Sequence, residues 1–259
     1  MFPFERIVCL TEETTETLYL LGEEHRIVGI SGYTVRPPRA RTEKPRVSAF
    51  ISADVPKILA LQPDLVLSFS DIQADIVAEL ICHGVTVHAF NQRSIAEIFD
   101  MMRTVGALVG AGAKAEALCG ALTANLESVA AVAVKMQARP KVYFEEWDAP
   151  MISAIAWVSE LVRIAGGEDI FAERAMQKSA KDRIVTAGEV IARAPDIIIA
   201  SWCGKKFNPA LLAARPGFDA IPAVHNGRLH EVKSALILQP GPAALSDGVA
   251  ALQRIICAR

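Results

Sequence analysis

The stretch Ile58-Leu59-Ala60-Leu61-Gln62-Pro63-Asp64-Leu65-Val66-Leu67-Ser68 decides the fold, because the chain says it twice. Val190-Ile191-Ala192-Arg193-Ala194-Pro195-Asp196-Ile197-Ile198-Ile199-Ala200 follows the same pattern 132 positions further on. Each copy closes a helix, turns at Pro-Asp, and enters a run of β-branched and aliphatic residues suited to a buried strand. Solenoids repeat every ~20–50 residues, so so long a separation predicts two similar lobes instead. Two similar lobes imply a cleft, and the cleft is where function is expected.

Working outward from the first copy, alternating strand and helix signals fill the N-terminal half. Arg6 to Leu10 reads as a buried strand. Thr11-Glu12-Glu13-Thr14 offers a capping box for a helix that Gly22 stops. Ile27 to Ile30 is a second strand, and Pro37-Pro38 makes the following Ser31 to Arg39 a loop carrying basic residues. Val47 to Phe50 is a short strand or turn. Ser52 is placed to cap a helix through Leu61, with Pro56 tolerated in its first turn. Leu65 to Phe69 is the repeat strand, Gln73 to Cys82 a helix ended by His83-Gly84, and Val85 to Phe90 another strand. Ser94 and Glu97 form a second capping box for a helix to about Val109. Successive β-α units of this kind predict a parallel sheet with helices on its faces.

Ala113 to Gln137 differs. It is rich in Ala, Leu, Glu and Lys, with Leu118, Leu122, Leu126 and Val129 at helical spacing. A helix of that length spans roughly 35 Å, and Arg139-Pro140 ends it. The expected organisation is an α/β lobe over residues 1–112, a connecting helix over 113–138 and a second α/β lobe over 139–259. No Ser/Gly linker separates the lobes, so little opening and closing of the cleft is expected. In the second lobe Lys141 to Glu145 is a strand, and Val158 to Ile164 a helix closed by Gly166-Gly167. Thr186 caps the helix of the second Pro-Asp copy, and Ile197 to Ser201 is its strand. Asn208-Pro209 opens a short helix. Leu229 to Val232 is a strand, Gln239-Pro240-Gly241-Pro242 a rigid turn, and Ala244 to Cys257 the closing helix.

Composition excludes several classes. The chain has 259 residues, 52% of them hydrophobic, and a net charge of −2. A substantial core is therefore available, and general nucleic-acid binding has no electrostatic basis. No run approaches the ~18–20 apolar residues of a membrane helix. The start lacks a basic, apolar and small-residue export signal, so a cytoplasmic location is expected for the chain as numbered, and a periplasmic one for a processed form. Cys9, Cys82, Cys119, Cys203 and Cys257 are odd in number, widely spaced and without a CxxC, which fits a reducing compartment. GxSxG, P-loop and GxGxxG patterns are absent. His25, His83, His88, His225 and His230 show no metal-ligand spacing, so no protein-held metal is expected.

Two α/β lobes joined by one long helix, each with an (I/V)xAxxPD turn into a strand, resemble the helical-backbone metal-receptor family, the class III substrate-binding proteins of ABC importers. RIVCLTEETTETLYLLGEEHRIVGIS is similar to the family's opening, VPKILALQPDLVLSFS to its first-lobe signature, and VSELVRIAGGEDIF to its second-lobe helix and Gly-Gly turn. The likeness covers nearly the whole chain and is greatest for the branch that binds cobalamin. It implies a monomeric, non-enzymatic protein whose ligand, cobalamin or a related corrinoid such as cobinamide, lies in the cleft.

Ligands of such folds sit against the loops beyond the carboxyl ends of the strands. That rule selects Phe50, Phe69, the run Glu145-Glu146-Trp147-Asp148, Trp202 and Cys203, with Tyr33 and Arg36 on a loop after a strand. The resemblance implies that Phe50 and Phe69 face a corrin. Trp202 falls nearly opposite Phe69 in the repeat and would be the second wall. Glu145 and Glu146 are expected to hydrogen-bond ligand amides or to pair with Arg36 or Arg183. Trp157 either faces the cleft or covers the second lobe's helix. The resemblance also implies an acid on each lobe that meets arginines of a membrane permease. Asp75, or Asp71, fits in the first lobe, whereas the second carries Lys205 and Lys206, which would repel such a partner. Two alternatives stay open. One is a siderophore or haem binder, which basic Arg36, Arg39 and Arg183 facing the ligand would favour. The other is a thiol enzyme or chaperone in which Lys205 and Lys206 activate Cys203.

Overall fold

A computed structural model describes residues 2–258. The chain divides into two compact units. The first runs through Gln92 and includes Ala96–Leu122; the second comprises Arg93–Ile95 and everything from Thr123. The first unit contains β1 (Ile7–Cys9), α1 (Glu12–Leu20), β2 (Ile27–Ser31), α2 (Ala40–Glu43), β3 (Arg46–Ser48), α3 (Val55–Ala60), β4 (Leu65–Phe69), α4 (Ala74–Cys82) and β5 (Val87–Phe90). Then come α5 (Ile95–Leu108) and α6 (Gly112–Ala133), inside which the chain passes from the first unit to the second. The second unit continues with β6 (Lys141–Asp148), β7 (Met151–Ser153), α7 (Ala156–Ile164), β8 (Glu168–Asp169), α8 (Ala172–Ala175), α9 (Ala187–Arg193), β9 (Ile197–Ala200), α10 (Pro209–Ala213), α11 (Pro222–His225), β10 (Leu229–Glu231), α12 (Ser234–Ile237) and α13 (Val249–Cys257).

The first sheet has the order β3-β2-β1-β4-β5 and every pairing is parallel. Its strands read IVC, IVGIS and LVLSF because both faces are covered, and a doubly covered strand has no polar side to alternate with. The second sheet has the order β10-β9-β6-β7, with β8 pairing the first residues of β6. Here β6, β8, β9 and β10 are parallel, and β7 alone is antiparallel. One face of the first sheet packs Val8, Leu10, Val47, Val55, Ile58, Val66, Ile76 and Leu80 into a core. The second unit's core gathers Tyr143, Phe171, Ile198, Trp202, Phe207, Leu212, Phe218 and Ile221.

The repeated Pro-Asp phrase does the same job in both units. The Asp64 carboxylate accepts from the backbone N–H groups of Glu5 (2.8 Å) and Arg6 (2.9 Å), and the Asp64 N–H donates to the Arg6 carbonyl. Asp196 repeats this on the first residue of β6. Its carboxylate accepts from the Lys141 N–H at 2.8 Å, and its own N–H donates to the Lys141 carbonyl. Each aspartate thus satisfies the orphan donors where the neighbouring strand begins. The residue before each proline is left-handed, Gln62 at φ 48° and Ala194 at φ 47°. A Cβ there is disfavoured. Ala194→Gly is therefore expected to stabilise the protein by roughly 0.5–1 kcal/mol, read as a higher urea midpoint at unchanged slope; an unchanged or lower midpoint contradicts it.

The structure departs from the sequence expectations in five places, the first being that the long helix expected to run as far as Arg139-Pro140 stops at Ala133. Thr11 stands at the N-cap of α1, but its hydroxyl donates to Glu13 Oε1 and no side-chain cap forms. Ser52 does not cap α3; Asp54 does, accepting from the Lys57 N–H at 3.0 Å. The strand expected to stop at Glu145 continues to Asp148, because its last residues find an antiparallel partner in β7. The closing helix begins with a π-helical turn over Ala244–Gly248. Gly248 is forced there: a Cβ would sit 2.3 Å from the Leu236 carbonyl oxygen. The predicted caps Thr186, reciprocated by Glu189, and Asn208 are both present.

Candidate functional site

In the first unit the loops after β1, β3 and β4 are held together by one buried side chain that the sequence reading passed over. The Gln73 amide donates to the Leu10 carbonyl (3.3 Å) and the Phe50 carbonyl (3.0 Å), and its oxygen accepts from the Phe69 N–H (3.1 Å). The next residue, Ser70, has φ 60° and ψ 179°, a region nearly restricted to glycine, and its N–H donates to the Phe90 carbonyl at 2.7 Å. Phe50 and Phe69 are thus brought to one cluster of strand ends. Phe69 is buried and Phe50 half-buried. Around them Tyr33, Ile51 and Ile72 are 49%, 71% and 47% exposed. Exposed apolar side chains concentrated on consecutive strand-end loops make this end of the sheet a candidate binding surface.

Helix α1 starts at the same end of the sheet, and its first turns are buried. Glu12 and Glu13 are 7% and 1% exposed, and Glu12 Oε2 has no hydrogen-bond partner. Burial pushes the Glu12 carboxyl up to about 7 and, with Glu12 and Glu16 nearby adding to it, the Glu13 carboxyl up to about 8, against a bond from the Thr11 hydroxyl that pulls the other way. Burial likewise pushes the Cys9 thiol up to about 12. An unfolded chain ionises these carboxyls near 4.5. From there to about pH 8 the folded state holds more protons, so stability falls as pH rises. Glu13→Gln removes part of that slope. Between about pH 5 and pH 8 the native protein is expected to lose more stability than the variant, by over ~1 kcal/mol in urea titrations; equal losses would show a carboxylate already solvated. The sequence signal was an acidic helix start, which ordinarily means solvent and a favourable dipole.

In the second unit the end of β6 carries adjacent carboxylates with different partners. Glu145 is fully buried, and its oxygens accept from Arg215 Nη1 (2.5 Å) and Nη2 (2.9 Å), from the Trp202 indole N–H (3.1 Å) and from the Tyr143 hydroxyl (3.1 Å). That set leaves Glu145 committed to the protein and not to ligand amides, and its partner is Arg215, which the sequence reading did not single out. The Tyr143 hydroxyl is pushed well up by burial and by the Glu145 charge. Glu146 takes Arg183, one of its two expected partners, at 2.5 and 3.2 Å. Arg36 instead pairs with Glu16 at 2.8 Å. Arg39 bonds Glu24 and lies over the Tyr19 ring.

The tryptophans separate. Trp157 is in the core of the second unit, its N–H donating to the Ile237 carbonyl at 2.8 Å. Trp202 is 6% exposed, with Phe207 edge-on at 5.2 Å. Trp147 is half-buried and is held by its N–H to the Ala149 carbonyl at 3.0 Å. Lys205 lies over both Trp147 and Trp202 and is ion-paired with Asp148. Its charge is therefore locally offset, and it is turned to the carboxylate and the rings. Cys203 is exposed on the same loop, and no cysteine among the described residues is in a disulfide. Asp71 and Asp75 are exposed at the start of the α4 region. Among the described residues no three His, Cys, Asp or Glu gather to hold a metal ion, and no helix is long and apolar enough to cross a membrane.

Two units with parallel sheets, each offering strand-end loops, define a ligand-binding α/β protein. Comparison with known proteins makes this specific: residues 7–236 match the sequence profile of the periplasmic binding proteins, and the chain belongs to that family. It is 26% identical over 245 residues to a cobalamin-binding protein of Halobacterium salinarum, covering 92% of this chain and 66% of that relative's length. The crystal structure of the periplasmic vitamin B12-binding protein of Vibrio cholerae superposes with a TM-score of 0.78 at 22% identity, over 98% of this chain and 97% of that one. A periplasmic haem-binding protein of Roseiflexus superposes with a TM-score of 0.82 at 22% identity, over 97% of this chain and 99% of that one. Both structural likenesses establish the fold.

Proposed function

We propose that the protein binds a corrinoid, cobalamin or cobinamide, as a carrier and without catalysis. The observation that carries this reading is the concentration of Tyr33, Phe50, Ile51 and Ile72 on the strand-end loops of the first unit. Broad apolar and aromatic surfaces suit a large flat ring. The cobalamin-binding relative from Halobacterium salinarum supports the same ligand. Titration with cobinamide or cyanocobalamin is expected to quench tryptophan emission and shift the visible spectrum; no change at micromolar ligand overturns the reading.

Haem is the second reading, favoured by the fold shared with the Roseiflexus protein. An anionic siderophore fits less well, because two of the cations it would need, Arg36 and Arg183, are engaged by Glu16 and Glu146. Delivery to an importer, with a permease and an ATPase, is the natural continuation of a carrier role. Asp75 or Asp71 would be the docking acid of the first unit, and Lys205, paired with Asp148, is a weaker obstacle than its bare charge implies.

A further inference from the structure

The side chain of Lys205 lies across two tryptophan rings of the second unit. Its ammonium is 5.4 Å from the centroid of the Trp147 ring and 5.4 Å from that of Trp202. Both rings are fixed by their own N–H groups, Trp147 to the Ala149 carbonyl and Trp202 to the buried Glu145 carboxylate. The lysine is not fixed in the same way. It stands on a loop outside any helix or strand, after Gly204 at φ 69°, and its side chain is 47% exposed. Asp148 holds the ammonium through Oδ2, while its Oδ1 is buried with no hydrogen-bond partner. Two aromatic faces, a carboxylate with spare acceptor capacity and one half-exposed cation together make an aromatic cage whose resident belongs to the same chain.

We propose that Lys205 is a displaceable plug over the Trp147 and Trp202 faces, and that the ligand takes its place with a flat ring on the indoles and an N–H donor on Asp148. This rests on the corrinoid reading and sharpens it. When the ammonium leaves, Asp148 keeps its negative charge beside the rings and requires a donor in return. A macrocycle rimmed with carboxamides supplies one. A macrocycle rimmed with carboxylates sets like charge against like, as does an anionic siderophore. Lys205 and Asp148 thereby select for amide-rimmed ligands at a subsite where stacking alone accepts any flat ring.

Lys205→Ala and Lys205→Met remove the plug, and the half-exposed position makes both foldable. Without any ligand, both variants are expected to show greater acrylamide quenching of tryptophan emission than the native protein, since the ring faces become open; unchanged quenching overturns the plug. In titrations with cobinamide, Lys205→Ala is expected to bind about three- to tenfold more tightly, the ion pair and ring contacts no longer having to be broken. Native binding that is unchanged or weakened by the substitution overturns displacement. The double variant Lys205→Ala/Asp148→Ala is expected to bind at least about tenfold more weakly than Lys205→Ala; equal affinities overturn the donor contact. If quenching rises while neither native protein nor variants bind cobinamide, the plug stands and the corrinoid reading falls.

Discussion

Replacing Glu145 by alanine is expected to remove about 3–5 kcal/mol of folding stability. The figure does not come from the strength of one ion pair. Glu145 has no exposed surface and serves four donors on three side chains, Arg215, Trp202 and Tyr143. Without it the Arg215 guanidinium, 19% exposed, is left largely desolvated beside an apolar core, and an indole N–H and a phenol lose their acceptor. Glu145→Gln keeps the shape and part of the bonding and is expected to fall between alanine and native. Urea titration measures both. A loss below about 1 kcal/mol for Glu145→Ala would mean that water replaces the carboxylate freely, and that this corner is not the closed network described.

Trp147→Ala is expected to weaken corrinoid binding by at least about 30-fold while costing less than half the stability lost by Glu145→Ala. Trp147 is only half-buried, packs at the margin of the core and has its N–H held by a carbonyl two residues away, so less depends on it than on the fully buried Glu145. What it offers is a broad face at the end of β6. Calorimetric titration with cobinamide reads the effect. A variant that binds normally would move the ligand away from this end of the second unit. Trp202→Ala would be a poorer test, since that ring is packed in the core and accounts for part of Glu145's bonding.

The strands, most helices and the two-lobed plan were legible because local patterns carry them. Apolar runs, Pro-Asp turns and the caps at Thr186 and Asn208 act over a few residues, and the structure uses them as written. Ser52 and Thr11 misled for a related reason: several hydroxyls and carboxylates compete for one helix start, and Asp54 lies closer to the α3 N–H groups than Ser52. The site was less legible, because its decisive contacts join residues far apart in sequence. Arg215 is 70 positions from Glu145, and Gln73 reaches back 63 positions to Leu10. Nothing local distinguishes either from a surface residue. Glu145 and Glu146 look equivalent in sequence. The pairing of β6 with β7 shifts register between Glu145 and Trp147, and there Glu145 enters the core while Glu146 meets Arg183. The burial of Glu12 and Glu13 opposes the usual behaviour of acids at a helix start, and no pattern in the sequence announces it.

The Pro-Asp clamps also bear on how the chain finds this fold. Asp64 closes a loop of 58 positions onto Arg6, and Asp196 closes one of 55 onto Lys141. Loop-closure entropy grows only with the logarithm of length, so the two closures differ by less than about 0.1 kcal/mol. The two units thus face nearly the same search for the parallel pairing that each clamp closes, β1 with β4 in one and β6 with β9 in the other. Neither half is handicapped relative to its counterpart, and pulse-labelling hydrogen exchange should find Leu65–Phe69 and Ile197–Ala200 gaining protection on one common timescale.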